Sequence, residues 1–157
     1  MKKGLYKAKW PCRLELIHND PGIYVDGAHN ADGVKVMVDF FKTKSEFKKV
    51  TFIFGVLKDK EYEKMAENIA PIAEKVYTVT PENERALPAH ELAGVLKRYN
   101  IEAYACDSIE EAVNECIGNI DIEDNSRAAG DICIFGSLYF VGYAKNVVLQ
   151  NFPLKLL

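Results

Sequence analysis

The chain has 157 residues, enough for a single domain with a full core. Its 20 basic and 23 acidic residues leave a net charge of −3 with no basic stripe, which argues against a nucleic-acid surface. Its apolar stretches fall far short of a membrane span, and Met1-Lys2-Lys3 leads into no apolar signal segment, so a cytoplasmic protein with no membrane partner is expected.

Four cysteines, Cys12, Cys106, Cys116 and Cys133, form no C-x-x-C pair, and His18, His29 and His90 are scattered. Neither pattern has the ligand spacing of a zinc site, so no metal is assigned to this chain. In a cytosolic setting the four thiols are expected to be reduced.

Residues 1–12 have no clear period and read as an entry segment. Arg13-Leu14-Glu15-Leu16-Ile17-His18 alternates, as a strand with one solvated face does. Asn19-Asp20-Pro21-Gly22 is a turn signal, so Arg13–His18 and the apolar run Ile23–Val25 are expected to form a hairpin at a sheet edge. Val34, Val36, Met37, Val38, Phe40 and Phe41 then give a helix beginning near Ala31 an apolar surface. Val50–Phe54 reads as a buried strand. Asp59 is placed to cap a helix from about Lys60 to Ala73, which Pro71 ends or kinks.

Lys75–Thr80 is the next expected strand, and Pro88 suits the first turn of a helix reaching about Tyr99. Glu102–Ala105 reads as a short strand, and Ser108-Ile109-Glu110-Glu111 is a capping box opening a helix to about Ile117. Gly118–Gly130 is polar and loop-like. Ile132–Phe135 is the last buried strand, which Gly136-Ser137 turns into a helix from Leu138 to about Leu149. Short apolar strands alternating with helices argue a parallel sheet covered on both faces. The expected fold is α/β: a Rossmann-like, mostly parallel sheet of about six strands with an antiparallel edge hairpin strand, within one domain spanning 1–157.

In such a sheet the carboxyl ends of the strands share one side, where ligands bind. The polar residues that follow strands gather there: Asp26, His29 and Asn30; Lys58 and Asp59; Thr80, Asn83 and Arg85; Ser137 and Tyr139. Asp26 closes an apolar run and can bond a ribose hydroxyl or form a turn. His29 can meet a phosphate or carboxylate, and Lys58 can neutralise a carboxylate, although both residues can simply be solvated. Ser137 caps a helix on either reading, and a Gly-Ser turn at a helix start also offers N–H groups to an anion. Arg85 has no task legible from sequence. There is no G-x-x-x-x-G-K-[ST] loop and no G-x-G-x-x-G fingerprint, so the chain has little with which to hold a triphosphate and its magnesium alone.

Four stretches together carry a resemblance. They are Trp10-Pro11-Cys12-Arg13-Leu14-Glu15 with Asp26-Gly27-Ala28-His29-Asn30, then Phe54-Gly55-Val56-Leu57-Lys58-Asp59-Lys60, Pro81 to Arg85, and Gly136-Ser137-Leu138-Tyr139. In this order they resemble the C-terminal domain of folylpolyglutamate synthases, often also dihydrofolate synthases, of the Mur ligase superfamily. The resemblance runs from about Lys9 to Tyr143. Cys12 stands where the family usually has glycine, and Ala31-Asp32 where it often has Asn-Pro.

The resemblance implies an ATP-dependent ligase that adds L-glutamate to the γ-carboxyl of a folate, with dihydropteroate as a substrate in bifunctional members. The folate carboxylate is activated as an acyl phosphate, which the glutamate amine attacks through a tetrahedral intermediate. Carried over by motif, Arg13 contacts ATP phosphate, Asp26 contacts the ribose, and His29 lies near both ATP and glutamate. Arg13 and His29 are thereby the catalytic candidates, and His29, Ser137 and Lys58 help to hold glutamate. Asp26 and His29 are expected to face outward toward a second domain. That N-terminal ATPase domain, which supplies the P-loop and the Mg2+ ligands, is expected as the partner, so the chain reads as an excised domain, inactive alone. Two other readings are a C-terminal domain of a peptidoglycan Mur ligase and a stand-alone, non-catalytic nucleotide or amino-acid binding module.

Overall fold

In the computed structural model, which describes residues 13–44, 47–118 and 130–151, strands and helices alternate along the chain. β1 (Glu15–Asn19) and β2 (Gly22–Asp26) form the expected antiparallel hairpin. There follow α1 (Ala31–Lys42), β3 (Val50–Phe54), α2 (Tyr62–Ile69), β4 (Ala73–Thr78) and α3 (Ala89–Arg98). The chain continues through β5 (Ala103–Ala105), α4 (Ile109–Ile117), β6 (Ile132–Phe135) and α5 (Leu138–Asn151). The expected Trp10-Pro11-Cys12 entry and most of the Gly118–Gly130 loop lie outside the described residues.

One six-stranded sheet runs β1-β2-β6-β3-β4-β5. Only the β1–β2 pair is antiparallel; β2–β6, β6–β3, β3–β4 and β4–β5 are parallel. This is the α/β architecture the sequence predicts. Strand alternation divides the core in two. Phe52, Phe54, Cys133 and Phe135 pack with Val34, Met37 and Phe41 of α1, Met65 and Ile69 of α2, and Leu92 and Leu96 of α3. Val25, Ile53, Ile132 and Ile134 pack on the other face with Val113 of α4 and Phe140, Val141 and Ala144 of α5. Fully burying each large apolar side chain stabilises the fold by roughly 1.5–3 kcal/mol.

The order of the strands creates the site. After β2 the chain crosses to α1 on the first face and steps over β6 to reach β3. After β6 it leaves for α5 on the opposite face. The two connections diverge, which opens a crevice at the carboxyl ends of β2 and β6, the usual ligand position in an open α/β sheet.

Several boundaries differ from expectation. α2 begins at Tyr62 rather than near Lys60 and ends at Ile69, before Pro71. Asp59 does not cap it: Glu61 holds the cap position and makes no side-chain cap bond. β4 starts at Ala73, because Val50 N–H donates to Ile72 O at 2.8 Å and Ala73 pairs with Val50, drawing the chain into the ladder directly after the proline. It ends at Thr78 rather than Thr80. On α1 the buried stripe is Val34, Met37, Val38 and Phe41, whereas Val36 is 66% exposed. Residues 34, 37, 38 and 41 recur at helical spacing and 36 does not.

Candidate functional site

The connection after β2 is built by its own side chains. Asp26 is the last residue of the strand, and its carboxylate turns back on the chain. Ala28 N–H donates to Oδ1 at 2.6 Å, and Leu14 N–H, at the foot of the hairpin, donates to Oδ2 at 3.0 Å. Asn30 then caps α1: extended at φ −143°, it accepts the Gly33 N–H on Oδ1 at 2.8 Å. This satisfies one of the orphan donors of the first turn. Between them His29 is exposed, and its Nδ1–H donates to Gly27 O at 3.0 Å. That bond selects the tautomer in which Nε2 is the acceptor nitrogen.

The connection after β6 depends on a glycine. Gly136 has φ +117°, a conformation that strains any residue with a side chain. Ser137 follows, 3% exposed, and its Oγ accepts the Tyr139 N–H at 3.2 Å as α5 begins. The hydroxyl is thus a helix cap, as either sequence reading requires.

Together these connections wall a crevice of about 810 Å3. Arg13, Asp26, His29, Asn30 and Asp32 supply its polar groups, and Leu14, Ala28, Val36 and Leu138 its apolar ones. Three of the predicted residues, Arg13, Asp26 and His29, therefore meet in one place. Lys58 and Ser137 are not part of its lining. Lys58 is exposed after β3, on a loop fastened by its own N–H to Arg85 O at 2.7 Å and by an isolated bridge between Leu57 and Ala86.

Asp26 departs from expectation. It does not face outward but is 6% exposed, with each carboxylate oxygen occupied by a backbone donor. Burial pushes its carboxyl above the ordinary value, against the opposing pull of the Ala28 and Leu14 N–H groups and of Arg13. His29 is exposed, as expected, and so is Arg13.

Other strand-end polar groups have internal partners. Ala89 N–H donates to Thr80 Oγ1 at 2.9 Å, so Thr80 caps α3 from nine residues upstream. Arg85 N–H donates to Asn83 Oδ1 at 2.8 Å, and Arg85 Nη1 pairs with Asp59 at 3.2 Å. Sequence reasoning did not select Leu14, Asp32, Val36 or Leu138 as crevice residues. The signal for the last two is geometric: both are large apolar residues left 66% and 62% exposed on helices that border one crevice. Among the described residues no group of three or more His, Cys, Asp or Glu side chains is arranged to hold a metal ion, and no helix is long and apolar enough to cross a membrane.

The chain is of the doubly wound α/β class, with a cation, an acid and an imidazole at the switch-point crevice where open sheets of this class bind their ligands. The chain belongs to the Mur ligase, glutamate ligase domain family, which matches residues 12–136. It is 32% identical over 141 residues to the dihydrofolate synthase/folylpolyglutamate synthase of Bacillus subtilis, covering 90% of this chain and 31% of that protein. Against the folylpolyglutamate synthase of Lacticaseibacillus casei it is 34% identical over 150 residues, covering 95% and 32%. Its fold superposes on E. coli FolC in complex with DHPP and ADP with a TM-score of 0.80 at 19% identity, covering 92% of this chain and 33% of that one. Mycobacterium tuberculosis folylpolyglutamate synthase complexed with ADP gives a TM-score of 0.77 at 21% identity, covering 88% and 32%. The chain spans about a third of the length of these relatives.

Proposed function

We propose that this chain is the C-terminal part of an ATP-dependent ligase that adds L-glutamate to a folate. The observation that carries the reading is the meeting of Arg13, Asp26 and His29 in one crevice at the β2–β6 switch point of a glutamate ligase domain. In this reading Arg13 meets the ATP phosphates, where a guanidinium offsets negative charge developing during phosphoryl transfer. Asp26 keeps two lone pairs beyond its two backbone bonds, and these are available to a ribose hydroxyl. His29 stands between ATP and glutamate, with Nε2 as an acceptor for a polar group of either.

Lys58 and Ser137 are assigned to glutamate on the motif alone. Lys58 lies on a loop clipped in place by backbone bonds and is free to extend its ammonium. Ser137 contributes through the N–H groups at the start of α5 as much as through its buried hydroxyl.

The rest of the enzyme is an N-terminal ATPase domain with the P-loop and the Mg2+ ligands. Closure of the two domains excludes water, which otherwise hydrolyses an acyl phosphate. The buried, free thiols of Cys106, Cys116 and Cys133 suit a reducing cytosol. The test is ATP-dependent incorporation of glutamate into tetrahydrofolate and dihydropteroate by the complete gene product. Glutamylated product with release of ADP and phosphate is expected from the complete protein, and none from this chain alone. Failure of the complete protein on both substrates overturns the reading.

A further inference from the structure

Leu14 has φ +45°, in the left-handed region that a branched side chain rarely adopts. A bend of this kind persists only where its surroundings hold it. Two contacts hold Leu14. Its side chain packs against the core on the α1–α3 face, and its N–H donates to Asp26 Oδ2 at 3.0 Å. The other oxygen of the same carboxylate accepts the Ala28 N–H at 2.6 Å. One buried group thus ties the residue after Arg13 to the residue before His29.

We propose that Asp26 is a positioning residue for Arg13: by clasping the Leu14 and Ala28 N–H groups it fixes the left-handed bend that sets the guanidinium at the crevice beside His29. The claim rests on the ligase reading and deepens it. The N–H that Asp26 holds belongs to the Arg13–Leu14 peptide itself. Released from the carboxylate, Leu14 relaxes toward an ordinary conformation and carries Arg13 off its line. Asparagine at position 26 offers one oxygen where two are needed and turns an NH2 group toward a backbone donor. A ribose contact uses different lone pairs, so the two roles coexist and can be measured apart.

The experiment is a double-mutant cycle in the complete ligase that carries this domain. Asp26→Asn is expected to lower kcat by about tenfold or more with Arg13 present, the scale of a small misplacement of a catalytic group. In an Arg13→Ala background the same change should lower kcat by less than about twofold when ATP is saturating, where a lost ribose contact falls on KM, because the group being positioned is gone. Equal losses in the two backgrounds overturn the proposal. Comparing ATP with 2′-deoxy-ATP and 3′-deoxy-ATP measures the ribose contact separately, so that contact can fail while the coupling to Arg13 stands.

Trypsin provides an arm that needs no turnover, since it cuts the Arg13–Leu14 bond. Cleavage there should be about tenfold faster or more in Asp26→Asn, as expected for local opening, with cleavage after Arg98 unchanged. Unchanged cleavage after Arg13 overturns the proposal even if no ligase activity is found. If cleavage after Arg98 also rises, the ratio of the two rates decides: a rise after Arg13 larger than that after Arg98 supports the clasp, and equal rises overturn it.

Discussion

Gly136 lies against Gly55 where β6 and β3 end side by side: a Cβ built on Gly136 would stand 2.1 Å from the Gly55 carbonyl oxygen and 2.7 Å from Phe54 Cδ2. Neither neighbour can yield. One is backbone, and the ring of Phe54 is stacked on Phe135 with centroids 4.3 Å apart in the core. The φ of +117° adds a conformational penalty independent of space. Gly136→Ala is therefore expected to destabilise the domain by about 3 kcal/mol or more, as backbone strain and overpacking act together. Urea unfolding of the variant measures it, and a loss below about 1 kcal/mol would mean the turn repacks.

Gly94 answers the same substitution with the opposite sign. It sits inside α3, and beyond its chain neighbours and the helix's own backbone no atom lies within 4 Å of an added Cβ. Alanine there lowers the entropy of the unfolded chain and raises helix propensity, a gain of roughly 0.5–1 kcal/mol. Thermal unfolding of Gly94→Ala should show a higher midpoint than the parent; a lower one would point to a constraint on α3 outside its visible neighbours.

Legibility from sequence followed how local the determining contact was. The β2–turn–α1 unit was readable because its signals lie within a few residues: an apolar run, a carboxylate, a Gly-Ala turn and Asn30, which does cap α1 through Gly33. The same holds for Ser108, whose Oγ accepts the Glu111 N–H at 3.0 Å while Glu111 accepts the Asp107 N–H. Asp59 failed because its partner, Arg85, is 26 residues away. A carboxylate before a polar run looks like a cap whether or not a guanidinium elsewhere takes it. Asp26 does lie at the crevice but was given the wrong orientation, since the Leu14 N–H that turns it inward comes from the foot of the hairpin, 12 residues back.

The Asp59–Arg85 pair is half exposed, with side chains 47% and 57% accessible at 3.2 Å. Solvent screens such a pair, and its formation orders two side chains, so it contributes about 0–1 kcal/mol. Asp59→Ala should accordingly shift stability by less than about 1 kcal/mol, and raising the salt concentration should not magnify the difference. A larger loss in a denaturant melt would restore Asp59 to a capping role for α2.

The acid limb of stability carries a signature of Asp26. Its carboxyl is pushed above the ordinary 3.8 by burial, so the folded state holds the proton to higher pH than the unfolded state. As pH rises through the window opening at 3.8, the unfolded chain ionises first and stability falls; above the folded-state value the penalty is constant. Glu61 and Glu110 run the other way, held below the ordinary 4.5 by bonds from Lys64 and Tyr143, so only a difference isolates Asp26. The stability of the parent minus that of Asp26→Asn should decline through this window and flatten toward neutral pH. Denaturant melts at several pH values test the sign, and a difference that grows with pH would mean the two N–H bonds outweigh burial.

Arg13 is exposed at the crevice, where its charge acts on the Asp26 carboxylate against the effect of burial. If its guanidinium offsets charge on a transferring phosphoryl group, its removal acts on the transition state more than on the ground state. Arg13→Ala in the complete enzyme is then expected to lower kcat by about 10²-fold or more, with a smaller change in the KM for ATP and little change in thermal midpoint. Arg13→Lys should recover part of the loss, because lysine keeps the charge but lacks the planar fork that meets two phosphate oxygens at once. Steady-state kinetics with ATP varied at saturating folate and glutamate separates these parameters. A variant that melts earlier but turns over normally would reduce Arg13 to a support of the hairpin.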